Sequence, residues 1–149
     1  MALKKYSNKR DFNKTPEPSG QSAGEGGSRF VIHRHQARHL HYDFRLEIDG
    51  ALKSWAVPKG VPLEPGIKRL AVQVEDHPVA YIDFAGQIPE GQYGAGSVEI
   101  WDKGEFELIK REANYIELIL KGSKLSGEYV LLRTDGKNWL LFKRRVDKR

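Results

Sequence analysis

The chain has 149 residues, no cysteine and a formal net charge of +5. That length suits one domain with a substantial core, and the missing thiols exclude disulfides and thiolate metal sites. No apolar run approaches membrane-spanning length, and Met1-Ala-Leu-Lys-Lys5 lacks the apolar stretch of a signal peptide, so a cytoplasmic protein without a membrane partner is expected.

The charge is uneven. Residues 1–14 hold five Lys or Arg and one Asp, residues 143–149 hold the same, and the stretch between them carries −3. Basic ends on a near-neutral body suit contact with a polyanion as well as they suit simple solubility. Residues 1–28 read as an arm: Thr15 to Ser28 is too rich in Pro, Gly and Ser for regular structure.

Strands follow in close succession. Arg29–His35 is the first. Leu40–Ile48 alternates Leu40, Tyr42, Phe44, Leu46 and Ile48 against His41, Asp43, Arg45 and Glu47, the period of a half-buried strand. Asp49-Gly50 turns it back into Ala51–Pro58. Arg69–Glu75 and Tyr81–Phe84 come next, and Ser97–Trp101 and Glu105–Ile109 flank a turn at Asp102-Lys-Gly104. Tyr115–Lys121 precedes Glu128–Arg133 and Trp139–Arg145, which are joined across Asp135-Gly136. No segment of ten or more residues has helical periodicity, and there is no internal repeat. The pattern predicts an all-β fold, an antiparallel barrel or sandwich; with the resemblance described below, it is expected as an antiparallel β-barrel of about eight strands with an extended N-terminal arm, divided as arm 1–28 and barrel 29–149.

The polar face of Leu40–Ile48 presents an imidazole, a carboxylate and a guanidinium in a row, each about 7 Å from the next. Imidazole with carboxylate suits a divalent transition metal, and an adjacent arginine suits an anion beside it. His33, His35, His39 and His41 fall within nine residues. His35 ends one strand and His41 begins the next, so these two converge with Asp43. His33 and His39 remain open as supporting or surface groups, and Arg45 has the alternative of an exposed pair with Glu47, worth little. Gly91-Gln-Tyr-Gly-Ala-Gly96 lacks the Lys-Ser/Thr ending and the following helix of a phosphate loop and reads as a tight turn. Trp55, Trp101 and Trp139 lie in strand patterns and read as core.

Five motifs in order carry a resemblance: Phe30-Val-Ile-His-Arg-His35, Leu40-His-Tyr-Asp-Phe-Arg-Leu46, Leu52-Lys-Ser-Trp-Ala-Val-Pro-Lys-Gly60, Arg69-Leu-Ala-Val-Gln-Val-Glu-Asp-His-Pro78 and Ile88-Pro-Glu-Gly-Gln-Tyr-Gly-Ala-Gly96. Together with Lys9-Arg-Asp-Phe12 and Thr15-Pro-Glu-Pro18, they closely resemble the 3′-phosphoesterase module of bacterial DNA ligase D. The polymerase and ligase modules usual beside it are missing, so the resemblance implies a free-standing member or a part cut from a larger protein. It implies a barrel-like fold and a Mn²⁺-dependent hydrolase, with Co²⁺ or Zn²⁺ as other candidate ions. The implied reaction trims DNA ends in end joining, removing a 3′-terminal ribonucleoside and then the 3′-phosphate to leave a 3′-hydroxyl. By position, His35, His41 and Asp43 match its metal ligands, and Arg45 and His77 match the residues that hold the scissile phosphate. Tyr81, Lys59 and Arg69 match further active-site positions, while Arg10, Asp11, Glu17 and Glu75 match positions linked to activity or support of the site. The implied partners are a DNA primer-template ending in a ribonucleotide or phosphate and an end-joining ligase and polymerase, with the chain itself a monomer. Two other readings stay open: a non-haem metal oxygenase of cupin type, and a nucleic-acid-binding barrel without catalysis.

Overall fold

The computed structural model describes residues 3–18 and 28–145. Nine strands form one sheet: β1 Arg29–Gln36, β2 Leu40–Ile48, β3 Ala51–Val57, β4 Lys68–His77, β5 Gly86–Ile88, β6 Gly96–Glu112, β7 Tyr115–Gly122, β8 Ser126–Asp135 and β9 Asn138–Lys143. Their order is β1-β2-β3-β4-β9-β8-β7-β6-β5, and β1 also pairs with β6. That extra pairing closes eight antiparallel strands into the expected barrel and leaves β5 as a short addition along β6. Closure removes the unpaired edges that would invite association.

Two of the expected elements differ. The segment read as a strand at Tyr81–Phe84 belongs to a 3-10 helix, Val79–Asp83, which begins after the extended Pro78. Its backbone turns through Tyr81 N–H to Pro78 O at 2.9 Å and Phe84 N–H to Tyr81 O at 3.0 Å. Val79 and Ile82, one turn apart, are then buried on the same side. The second difference is β6, a single strand of 17 residues where two strands and a turn were expected. Asp102 does not turn the chain there. Its buried carboxylate accepts from the backbone N–H of Ser123 (2.9 Å), Lys124 (3.1 Å) and Leu125 (2.8 Å), and so caps the connection between β7 and β8. Gly122 makes room for this: an added Cβ would stand 2.5 Å from the Asp102 carboxylate and 2.6 Å from the Phe30 ring. At Asp49-Gly50 both residues have positive φ, 57° and 78°, as a two-residue hairpin of this hand requires.

The core lies inside the barrel, filled by Phe30, Ile32, Phe44, Leu46, Trp55, Leu118, Leu131, Trp139 and their neighbours. Trp101 is half-buried and packs on the same cluster. A second apolar cluster lies on the other face of the wall and joins Val31, Leu52, Ile88 and Val98 to Tyr81, Ile82, Phe84 and Tyr6. Tyr6 comes from α1 Lys4–Asn8, a short helix in the arm, and is fully buried; Phe12 is only partly buried against the same cluster. Arm and 3-10 helix therefore cover the outer face of β2, and residues Asp43–Ile48 are buried on both sides. The sequence pattern of a half-exposed strand holds only for the strand's first turn. The 19–28 connector expected between arm and barrel falls almost wholly outside the described residues.

Replacing Asp102 by Ala should lower unfolding free energy by about 3 kcal/mol, because three backbone donors lose a charged acceptor. The readout is the denaturant midpoint, with Asp102→Asn retaining part of the loss-free behaviour.

Candidate active site

The three-residue connection Ala37–His39 sets β1 against β2 so that His35 faces His41, His33 faces Asp43 and Val31 faces Arg45. Directly opposed residues on one face are within side-chain reach. His35, His41 and Asp43 thereby place one nitrogen, one nitrogen and one oxygen within 4.8 Å of one another. His35 Nδ1 stands 3.5 Å from Asp43 Oδ2, and His41 Nε2 stands 3.2 Å from Asp43 Oδ1.

Each imidazole is oriented from behind. His35 Nε2 donates to the Gly94 carbonyl at 2.7 Å, and His41 Nδ1 lies 3.2 Å from the His39 carbonyl. A backbone acceptor on one ring nitrogen fixes the tautomer and aims the other lone pair at the carboxylate, as in built metal sites. The donor set fits a first-row divalent cation. The glycine loop before β6 has its task here: Gly94 and Gly96 have φ of 77° and 135°, and a Cβ on Gly94 would press on His35 at 3.4 Å.

Arg45 is buried, with 3% of its surface exposed. Its Nη2 donates to Asp43 Oδ2 at 3.2 Å and its Nε to His33 Nδ1 at 3.1 Å, and Nη1 lies 3.2 Å from His77 Nδ1. The Tyr81 ring centre is 4.9 Å from its guanidinium. Burial alone would raise the Asp43 carboxyl, but the Arg45 guanidinium and the two imidazoles facing it, His35 and His41, hold it well below the usual range. His33 is pushed down to about 3 by burial and then by Arg45, so it is a neutral acceptor, with its Nε2 donating to Phe84 O at 3.0 Å. His77 is likewise held well below its usual value by burial and by Arg45 and Arg10. Its Nδ1 lies 3.0 Å from Glu75 O and its Nε2 lies 3.4 Å from Arg10 Nη2. A proton on Nδ1 satisfies both of these contacts.

The arm completes the wall. Arg10 donates through Nε to Glu17 at 3.0 Å and through Nη1 to Glu75 at 3.4 Å, and Lys9 donates to Glu75 at 3.0 Å. Glu17 also accepts from Tyr81 OH at 2.6 Å and Thr15 Oγ1 at 2.9 Å. A cavity of about 340 Å³ joins these groups, lined by Arg10, Glu17, His35, His41, Asp43, Arg45, Glu75, His77, Tyr81 and Tyr93. Of the positions singled out in the sequence, Asp11 stays exposed and accepts from the Asn13 N–H within its own turn. Lys59 and Arg69 line a separate cavity with Tyr42 and Trp101, where Arg69 donates to the Lys59 carbonyl. His39 is exposed.

Three further side chains around the site, His33, Tyr6 and Tyr93, have no role assigned by the sequence motifs. His33 has a legible signal, since alternation along β1 puts it on the face of His35. Tyr93 lies in the Ile88–Gly96 motif, whose glycines read as a tight turn, and Tyr6 is a lone aromatic in polar surroundings.

The pocket sets buried cationic side chains beside three side chains that could hold a metal ion. Residues 33–133 match the family model of the DNA ligase D 3′-phosphoesterase domain. The multifunctional non-homologous end joining protein LigD of Pseudomonas aeruginosa is 50% identical over 153 aligned positions, covering 95% of this chain and 18% of that protein. The multifunctional non-homologous end joining DNA repair protein LigD of Mycobacterium tuberculosis is 46% identical over 144 positions, covering 93% of this chain and 19% of that protein. The counterpart of Mycolicibacterium smegmatis is 46% identical, with 93% and 20% covered. The chain thus spans about one fifth of the length of these relatives, and it belongs to the DNA ligase D 3′-phosphoesterase domain family.

Proposed function

We propose that the chain is a metal-dependent DNA 3′-end-processing phosphoesterase of non-homologous end joining. It removes a 3′-terminal ribonucleoside and then the 3′-phosphate, leaving a 3′-hydroxyl. The observation that carries this reading is the His35, His41 and Asp43 group opening into the same pocket as buried Arg45 and His77. An oxygenase of cupin type would have no task for a buried guanidinium beside its metal.

Charge supports a phosphate ligand. Lys9, Arg10 and Arg45 face Asp43, Glu17 and Glu75, and the histidines His33 and His77 are neutral. The set is balanced, so a bound divalent cation leaves two positive charges, the complement of a phosphate dianion. That cation, Mn²⁺ by family resemblance, would be held by His35, His41 and Asp43 and would supply Lewis-acid polarisation of a non-bridging oxygen.

The chain's own groups do the rest. With the His77 proton on Nδ1, Arg45 Nη1 is left to donate to a phosphate oxygen, and its other nitrogens stay fixed by His33 and Asp43. A preorganised, dry donor of this kind favours the charge that develops on phosphorus-bound oxygens. In the first step water attacks phosphorus, the bond to the terminal O5′ breaks, and the nucleoside leaves as an alcohol. In the second, water attacks again and the bond to O3′ breaks, releasing inorganic phosphate. Burial first, and then the Arg45 and Arg10 guanidiniums, keep His77 neutral; a bound phosphate would offset the guanidinium part, so that His77 would gain proton affinity with substrate in place and supply the leaving oxygen's proton. Glu17 and Glu75 hold Arg10 and the Tyr81 hydroxyl around this centre. DNA primer-templates are the proposed substrates, with an end-joining ligase and polymerase as the proposed partners. Lys59 and Arg69 would then touch the DNA outside the reaction pocket.

Single alanine substitutions at His35, His41 and Asp43 should each abolish phosphate release and lower Mn²⁺ binding measured by calorimetry, with the β circular dichroism unchanged. If all three bind the ion as the parent does, the metal assignment is wrong. Arg45→Lys keeps charge but loses the planar fork, and should lower kcat/KM by about 2–4 kcal/mol. His33→Gln keeps one acceptor and one donor and should retain most activity, whereas His33→Leu should fall toward the Arg45→Lys level; equal kinetics for both would remove His33 from the site. On a primer ending in a 2′-deoxynucleotide, nucleoside release should slow strongly while 3′-phosphate removal is less affected, as read from product mobility on a gel.

A further inference from the structure

A nucleotide whose phosphate sits at Arg45 and His77 has a base and a polynucleotide chain still to be housed. The reaction cavity continues in one direction. Glu75 and Tyr93 line it and also line a second cavity of about 550 Å³, which runs between α1 and β4 past Lys5, Lys9 and Lys137. The cavity that holds Lys59 and Arg69 shares no lining residue with the reaction pocket.

Three features of this groove point to one ligand chemistry. Tyr93 stands at the junction with 46% of its surface exposed, and Lys9 and Arg10 lie over its ring at 4.7 Å and 5.2 Å from the centroid. It is an aromatic plate held in place by cations and still open. The groove's acids are already engaged, Glu75 by Lys9 and Arg10 and Asp76 by Lys53 at 3.1 Å. Lys5 and Lys137 have no carboxylate partner among the described residues, so the groove's excess charge is positive. An exposed aromatic followed by unpaired lysines is the pattern that takes a single strand: base on ring, phosphates on cations.

We propose that the groove between α1 and β4 is the track for the strand being trimmed. Tyr93 stacks on the base of the nucleotide that bears the attacked phosphate, and Lys5 and Lys137 contact phosphates further upstream. This rests on the phosphoesterase reading of the adjoining pocket. Because that nucleotide is common to both steps, the contact acts on nucleoside release and on phosphate removal alike.

The test uses the full chain, Mn²⁺ and primer-templates ending either in one ribonucleotide or in a 3′-phosphate. Tyr93→Ala should raise KM about tenfold or more on both ends with kcat little changed, and Tyr93→Phe should behave as the parent. An abasic site at the stacked nucleotide should raise KM of the parent protein by a similar factor and leave Tyr93→Ala unaffected. In chelator, where there is no turnover, the double substitution Lys5→Gln, Lys137→Gln should reduce the salt dependence of binding by about two phosphate contacts, read by fluorescence anisotropy of the labelled primer. A Tyr93→Ala protein with parental KM, or abasic penalties equal in the two proteins, overturns the stacking site; a parental salt slope in the double variant overturns the track. A parent protein that releases no phosphate from either end overturns the phosphoesterase reading itself, a result separable from these.

Discussion

A buried guanidinium is the constraint from which the rest of this structure can be read. Arg45 cannot lose its charge, and taking it out of water is costly unless its donors are met. His33 and Asp43 meet two of them and His77 stands at the third, while the Tyr81 ring covers a face. Each of these comes from a different piece of chain: β1, β2, the end of β4 and the 3-10 helix. Holding Arg45 dry therefore requires the barrel wall, the 3-10 helix and the arm together.

The same requirement explains why the site lies on the outside of the barrel and yet is enclosed. The barrel interior is filled by aromatic and aliphatic side chains, with no room for ionised groups. The polar side chains of β2 project outward and are covered by a second layer. Tyr6 seals that layer: it is fully buried, its ring lies 4.9 Å from His77 and 6.0 Å from Tyr81, and the Arg10 guanidinium rests 4.0 Å over it. The burial of Tyr6 and the ion pairs of Arg10 are mutually dependent, since each removes water from the other. A partly covered site of this kind strengthens its electrostatics without closing the way to a large substrate.

Asp43 links the three candidate metal ligands to the buried Arg45. One carboxylate oxygen faces His41, and the other is shared between His35 and Arg45. A cation held by His35, His41 and Asp43 would draw on the carboxylate that Arg45 now engages, and would leave guanidinium hydrogen-bonding capacity for an anion. Metal and phosphate are in this way expected to assist each other's binding.

Much of this was legible in the sequence. Alternation along Leu40–Ile48, the Asp-Gly turn and the run of short apolar segments carried the all-β antiparallel fold, because residues of one strand report their own period and two-residue turns report local φ. The His35, His41 and Asp43 group was legible because its members are at most eight residues apart and a short connection forces them together. The 3-10 helix was not, since Val79, Tyr81 and Ile82 have no strand-like or helix-like period over so few residues. Nor was the continuity of β6 past Asp102, whose acceptor role depends on Ser123, Lys124 and Leu125 from the next turn. Above all, the sequence could list Arg10, Glu17, Glu75 and Tyr81 as candidates, but only the tertiary structure joined them around Arg45 and set Lys59 and Arg69 in another cavity. Local conformation is written in neighbouring residues. The desolvation that gives these side chains their chemistry is a property of what covers them, and the cover comes from residues far away in the chain, such as Arg10, 67 positions from His77.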